Sequence, residues 1–348
     1  AYTTIDKPSD YFNTKLYTGT GSSHAITGVG FAPNWVWIKH RNEANPHKIF
    51  DTVRGVGKSL KSNSTDVEAS NEENGYVSAF GSDGFTLVAG STSSNDVNKS
   101  SGSYVSWNWN AGTSFTNDAS GTGIGSIDSA GSVNTDAGFA IITYTGTGSA
   151  ATVAHGLGVA PKMIINRTIS AAKNWITYHA SLGATKFVEL DTTDAAATSS
   201  DKFNNTEPTS TVFSIESSSQ NNTSGGTCLA YCFAEKQGYS KFGSYTGNGN
   251  ADGTFVYTGF KPAWIVRKNA STGSRSWNIY DVKRGINPNG APVFADTTAA
   301  EASGDNIVDL LSNGFKQRAT GGGGNTSGDI YVYMAFAENP FVTSTGVP

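Results

Sequence analysis

The sequence predicts an all-β fold of three tandem antiparallel β-sandwich domains, and three observations carry that prediction. The string YTGTG occurs at residues 17–21 and again at 144–148, with the near copy YTGNG at 245–249. Each copy is followed by the same further markers in the same order, a repeat of about 100 residues and so of domain size rather than solenoid size. The 41 glycines, with Ser, Thr and Asn between short apolar runs, suit brief strands and many turns, because Gly and Asn supply the positive-φ positions that turns need.

The markers are these. A proline stands 16, 17 and 17 residues after the tyrosine, at Pro33, Pro161 and Pro262, and opens FAPNWVWIKHR (31–41), VAPKMIINR (159–167) and FKPAWIVRK (260–268). Proline suits a strand's entry, where its missing N–H is least missed. Then come HKIFDTVRG (47–55), NWITYHASLG (174–183) and SWNIYDVKRG (276–285). SDGFTLVAG (82–90) is echoed by TVFSIES (211–217) and SNGFKQRAT (312–320). Each copy ends on an alternating strand: GSYVSWNWNAG (102–112), GTCLAYCFAE (226–235) and GDIYVYMAFAEN (328–339). In YVSWNWN, Tyr104, Ser106 and Asn108 share one face and Val105, Trp107 and Trp109 the other, which reads as half-buried alternation.

The domain plan is therefore an N-terminal extension over 1–11, a first repeat over 12–112, a second over 138–240 and a third over 241–348. Residues 113–137, rich in Gly, Ser and Asp with few large apolar residues, read as an extended linker. A helical turn is expected over 306–315, with Ile307, Leu310 and Leu311 on one side and an Asn-Gly stop.

Composition excludes several classes. The net charge of −4 and the lack of any Lys/Arg cluster argue against nucleic acid. No run of 18 apolar residues marks a membrane span, and the first residues lack the pattern of a signal peptide. Cys228 and Cys232, four apart on one strand, lie roughly 13 Å apart at ~3.3 Å per residue, too far for a disulfide. No second Cys/His pair completes a zinc site, so no metal or cofactor is expected.

Motifs for chemistry fail on context. VRGVGKSL (53–60) has Gly-Lys-Ser but Thr52 where a phosphate loop needs its first Gly. His24 and His155 fall at matching places in two repeats, without a nucleophile motif beside them. Asp51 with Arg54, and Asp281 with Arg284, read as loop-fixing pairs, while the second repeat has His179 at that place. No two carboxylates single themselves out as a glycosidase pair. Trp35 and Trp37 share a strand parity and form the candidate binding platform for a sugar or a partner protein.

YTGTG…VGFAPNWVWIKHR…FDTVRGVGKSL…SDGFTLVAG…GSYVSWNWNAG resembles a repeat common in virion structural proteins of tailed phages, especially marine ones infecting cyanobacteria and related hosts. The resemblance covers nearly the whole chain apart from the first dozen residues and the 113–137 segment. It implies a non-enzymatic tail-fibre or appendage protein, exposed on the particle and assembled in the host cytoplasm. The partners it implies are other virion proteins, further copies of the chain in a homotrimer, and host surface polysaccharide. Three modules in one chain are also able to mimic such a trimer alone. The alternatives are a capsid-surface decoration, a carbohydrate-binding protein without a virion role and a polysaccharide-degrading enzyme.

Overall fold

Tyr17, Tyr144 and Tyr245 are each the penultimate residue of a strand in a large antiparallel sheet. The structure, a computed structural model, describes residue 3 and residues 5–92, 95–285, 287, 289–304 and 307–340. The first set of strands is β1 (Phe12–Thr18), β2 (His24–Thr27), β3 (Trp35–His40), β4 (Lys48–Asp51), β5 (Lys58–Ser59), β6 (Ala69–Ser70), β7 (Tyr76–Gly81), β8 (Gly84–Val88) and β9 (Ser103–Trp109). They form a large sheet in the order β1-β9-β3-β4, a small sheet β2-β8-β7 and the pair β5-β6.

The second set is β10 (Thr113–Asn117), β11 (Ser129–Asn134), β12 (Phe139–Thr145), β13 (Ala151–Ala154), β14 (Met163–Thr168), β15 (Ile176–His179), β16 (Lys186–Glu189), β17 (Ala197–Thr198), β18 (Val212–Ile215) and β19 (Thr227–Phe233). Its large sheet runs β10-β11-β12-β19-β14-β15-β16-β17 and its small one β13-β18. The third set is β20 (Ser240–Thr246), β21 (Phe255–Tyr257), β22 (Phe260–Asn269), β23 (Asn278–Asp281), β24 (Val293–Phe294), β25 (Val308–Leu311), β26 (Gly314–Gln317) and β27 (Ile330–Pro340). Its sheets run β20-β27-β22-β23-β24 and β21-β26-β25. The chain is thus all-β, built of several antiparallel sheets, and each large sheet contains the same four-strand order.

The central strands of each large sheet are buried on both faces. In β9, Val105, Trp107 and Trp109 join one apolar cluster, while Tyr104 on the other face packs with Ile26, Phe85 and Leu87 of the small sheet. The polar face expected to meet water is therefore inside: Ser106 and Asn108 are buried beside Tyr104, and the Asn108 amide donates to Ser106 Oγ at 3.1 Å and to the Asn13 carbonyl at 3.1 Å. Burial on both faces explains why β3 and β14 are buried along their whole length.

The inner faces of all three large sheets meet in one core. Trp35 of the first set lies 4.6 Å from Tyr231 of the second, Trp109 lies 5.4 Å from Trp264 of the third, and Phe233 lies 6.2 Å from Phe336. Offset and edge-on aromatic packing of this kind adds attraction beyond area burial. Ile5 of the N-terminal extension is buried in the same cluster.

The YTGxG motif has one physical account at all three places. The tyrosine hydroxyl donates to a backbone carbonyl, Val97, Asn221 or Gly324, at 2.6–2.8 Å. The next residue along, Asn98, Asn222 or Asn325, accepts the N–H of Thr20, Thr147 or Asn248 at 2.7–3.0 Å. The first motif glycine admits no side chain: a Cβ on Gly19, Gly146 or Gly247 would stand 2.1–2.3 Å from a carbonyl oxygen. The second has φ of +71°, +71° and +68° at Gly21, Gly148 and Gly249.

Two expectations change. Residues 113–137 are no extended linker. They supply β10 and β11, which extend the second large sheet beyond β12, with a helical turn at Ala119–Thr122 between them. Gly131 admits no side chain there: a Cβ would stand 1.8 Å from the Ile141 carbonyl oxygen. The helical turn expected over 306–315 is a hairpin, β25 to β26, whose two-residue turn is Ser312-Asn313, with Gly314 paired opposite Leu311; residue 306 lies outside the described residues. Gly314 is there because β21 lies against it: a Cβ would stand 2.1 Å from the Val256 carbonyl oxygen.

Candidate functional site

Buried polar and charged side chains line the three seams where one set of strands meets the next. Each seam is built from the same ladder positions. Trp107, Tyr231 and Met334 are equivalent, as are Asp51, His179 and Asp281, judged from their partners in the ladders. Trp107 Nε1 donates to Asp281 Oδ2 at 2.9 Å, joining the first set to the third. Tyr231 Oη donates to Asp51 Oδ2 at 2.8 Å, joining the second to the first. Met334 has no donor to offer. There the aspartate is replaced by His179, whose Nε2 donates to the Tyr333 carbonyl at 3.0 Å, joining the second set to the third.

Three further contacts repeat around the ring. His47 Nε2, Trp175 Nε1 and Trp277 Nε1 donate to the carbonyls of Phe294, Lys61 and Glu189 at 2.9, 2.8 and 2.8 Å. The backbone N–H groups of Glu301, Glu68 and Ala196 donate to the carbonyls of Arg41, Ile169 and Ala270 at 2.7–3.0 Å. A buried cation spans each seam: Lys39 Nζ reaches the Thr298 carbonyl at 3.2 Å, Arg167 the carbonyls of Thr65 and Asp66 at 2.9 and 2.8 Å, and Lys268 that of Thr192 at 3.3 Å. Burial lowers Lys39 and Lys268 to about 8 and Arg167 to about 10. Carbonyl oxygens, which accept without carrying full charge, are the acceptors for these cations.

The Asp–Arg pairs act at the same seams. Arg54 Nε donates to Asp51 Oδ2 at 2.6 Å and Arg284 Nε to Asp281 Oδ2 at 2.5 Å. Each aspartate also accepts the N–H of its arginine, at 2.8 and 2.9 Å. The carboxylate that receives the neighbouring set's aromatic donor is therefore already oriented by its own loop.

Trp35 and Trp37 are 0% and 1% exposed in the shared core and offer no face to a sugar or a partner. They sit in the centre because both faces of β3 are covered, which alternation alone does not reveal. His24 and His155 do not correspond: His24 pairs opposite Leu87 in β2, whereas His155 lies beyond β13. His155 Nδ1 accepts the N–H of Leu157 at 3.2 Å and Nε2 donates to the Thr209 carbonyl at 3.2 Å, and burial lowers it to about 4. Lys58 of the Gly-Lys-Ser string is in β5, bonded to Ser70 Oγ at 2.6 Å.

Cys228 and Cys232 are free thiols buried in β19, both with pKa raised by burial. Among the described residues no group of three or more His, Cys, Asp or Glu side chains is arranged to hold a metal, and no helix is long and apolar enough to cross a membrane. Two shallow clefts lie beside the seams, one of about 410 Å³ between Asn34 and Ser132 and one of about 270 Å³ between Ala263 and Asn13. They occupy equivalent places, next to the entries of β3 and β22.

No curated protein matches the chain. The sequence profile of one family, described as a domain of unknown function, DUF7483, matches residues 7–340 in a single span that includes all three sets of strands. The chain belongs to the DUF7483 family.

Proposed function

We propose that the chain is a non-enzymatic structural protein of a tailed-phage virion, a tail-fibre or appendage component exposed on the particle. Capsid-surface decoration is the other placement the same geometry allows. In this reading the three sets are three copies of one β-sandwich module, each a large sheet against a small one. The observation that carries the proposal is the closed ring: three seams of equivalent residues leave no module with an unmatched inner face. Such a ring supplies, in one chain, the threefold cross-section that the resemblance leads one to expect from a homotrimer. The side chains with shifted titration at the seams are committed to holding the ring, not gathered around a cleft. The partners proposed are other virion proteins, with a host surface polysaccharide met through residues other than Trp35 and Trp37. The place of action is the particle surface, after assembly in the host cytoplasm.

Reconstruction of intact phage particles by electron microscopy tests this. Density for the threefold ring on the tail or the capsid supports the proposal, and its position separates appendage from decoration. Particles that lack the chain overturn it.

A further inference from the structure

We propose that the open edge of β21 is a docking site for an extended strand of a partner polypeptide, added parallel to β21. The molecule itself shows what such an edge takes. Val153 of β13 and Val256 of β21 hold the same ladder position, each buried and opposite a phenylalanine, Phe213 or Phe315. In the second set the outward edge of β13 is covered by the chain's own residues 125–129. Ser126 N–H donates to the Thr152 carbonyl at 2.9 Å, Thr152 N–H donates to Ser126 Oγ at 2.8 Å, and Ser129 Oγ donates to the Ala154 carbonyl at 2.9 Å. Ile127 bridges Val153 in parallel and packs against the second apolar cluster.

The equivalent residues in the third set are Phe255 and Tyr257. Gln317 N–H donates to the Thr254 carbonyl at 3.1 Å and Thr258 N–H to the Asn313 carbonyl at 3.0 Å. Thr254 and Thr258 thus face β26, and strand alternation turns the N–H and C=O groups of Phe255 and Tyr257 to the open side. β21 is the outermost strand of its sheet among the described residues. The side chains of Phe255 and Tyr257 are 43% and 59% exposed. The first set has Ala25 and Thr27 at these positions and the second has Thr152 and Ala154.

Exposed edges are usually blunted by charge, proline or a cover. This edge instead joins open backbone groups to two large aromatic faces, the combination used when a peptide adds to a sheet: main-chain bonds give affinity and side-chain surfaces give selectivity. The occupant that fits is of the Ser-Ile-Asp-Ser type already seated on β13, with one branched aliphatic residue beside Val256 and small polar residues around it. The inference does not depend on the virion assignment.

The test is a titration of the intact, isotope-labelled chain with a synthetic peptide of residues 123–130, Gly-Ile-Gly-Ser-Ile-Asp-Ser-Ala, followed by amide resonances. The expected result is shifts confined to β21 and β26, saturating in the millimolar range. Phe255→Pro removes one outward N–H and no bond to β26; with the rest of the spectrum unchanged it should weaken binding at least tenfold. Phe255→Lys, which keeps the N–H and adds a blunting charge, should weaken it too. No shift at several millimolar peptide overturns the proposal. So does a concentration-dependent shift of β21 without peptide, which would make a second copy the occupant. A response to a soluble oligosaccharide but not to the peptide also overturns it.

Discussion

The hydroxyl of Tyr231 donates to Oδ2 of Asp51 at 2.8 Å, linking residues 180 positions apart across the seam between the first two sets of strands. Asp51 is held independently by Arg54, so Tyr231→Phe leaves a satisfied carboxylate and removes only the bond across the seam. The expected loss is about 1.5–3 kcal/mol, the range for a hydrogen bond to a charged group. Asp51→Ala should lose more, about 3–5 kcal/mol, because the buried Arg54 is left without its main partner. Urea midpoints of the two variants, compared with the unaltered chain, check the order.

The YTGxG turn predicts a split between its two glycines. Gly146→Ala forces a Cβ toward the Thr223 carbonyl oxygen, 2.3 Å away, and should destabilise by about 1–3 kcal/mol through displaced backbone. Gly148→Ala meets a φ of +71° and should lose about 1–2 kcal/mol, whereas Gly148→Asn should lose less, because Asn tolerates that conformation. Thermal unfolding of the three variants separates a steric origin from a conformational one.

Acid should loosen the ring. Burial lowers His155 and His179 to about 4 and His47 well below the ordinary value, and in each the Nδ1 atom already accepts an N–H. The unfolded chain takes up these protons near pH 6.5. Below that pH it binds more protons at these three histidines than the folded chain, so their contribution to stability is lost as pH drops from about 6.5 to about 4, opposed in part by Asp191, which burial raises to about 6. For His155 or His179 the full loss is on the order of 3 kcal/mol. His179→Gln, which keeps a donor toward Tyr333, should show a flatter profile of melting temperature between pH 7 and pH 4.5.

The two cysteines should be silent in the native state. Cys228 and Cys232 are both 0% exposed, and burial raises both thiols. A thiol reagent at pH 8 should label neither until denaturant is added, because the thiolate is the reactive form. Labelling of either thiol under native conditions would show local opening of β19.

The strand signals were legible because they are local. Tyr17, Pro33 and the Tyr104–Trp109 alternation mark their strands within a few residues, as do their counterparts in the other repeats. What lay hidden was which faces meet. Trp35 and Trp37 look like a surface platform until β3 is seen covered on both sides, and no periodicity within one repeat shows that the repeats share a core. His179 in place of an aspartate is unreadable alone. Its sense comes from Met334, whose position holds a side-chain donor, Trp107 or Tyr231, in the other two sets. Residues 113–137 read as a linker because Gly and Ser suit both linkers and closely approached strands, and the pairing of β11 with β12, with Gly131 against Ile141, decides between them.

The central claim is that three sets of strands form one cooperative ring around a shared aromatic core. Differential scanning calorimetry of the intact chain, with residues 241–340 expressed alone as the comparison, tests it most directly. A single transition whose calorimetric and van't Hoff enthalpies agree, with an unfolded fragment, is the predicted result, because the fragment alone would expose Trp264 and Phe336 to water. Separable transitions in the intact chain, or a fragment that melts cooperatively by itself, would contradict it.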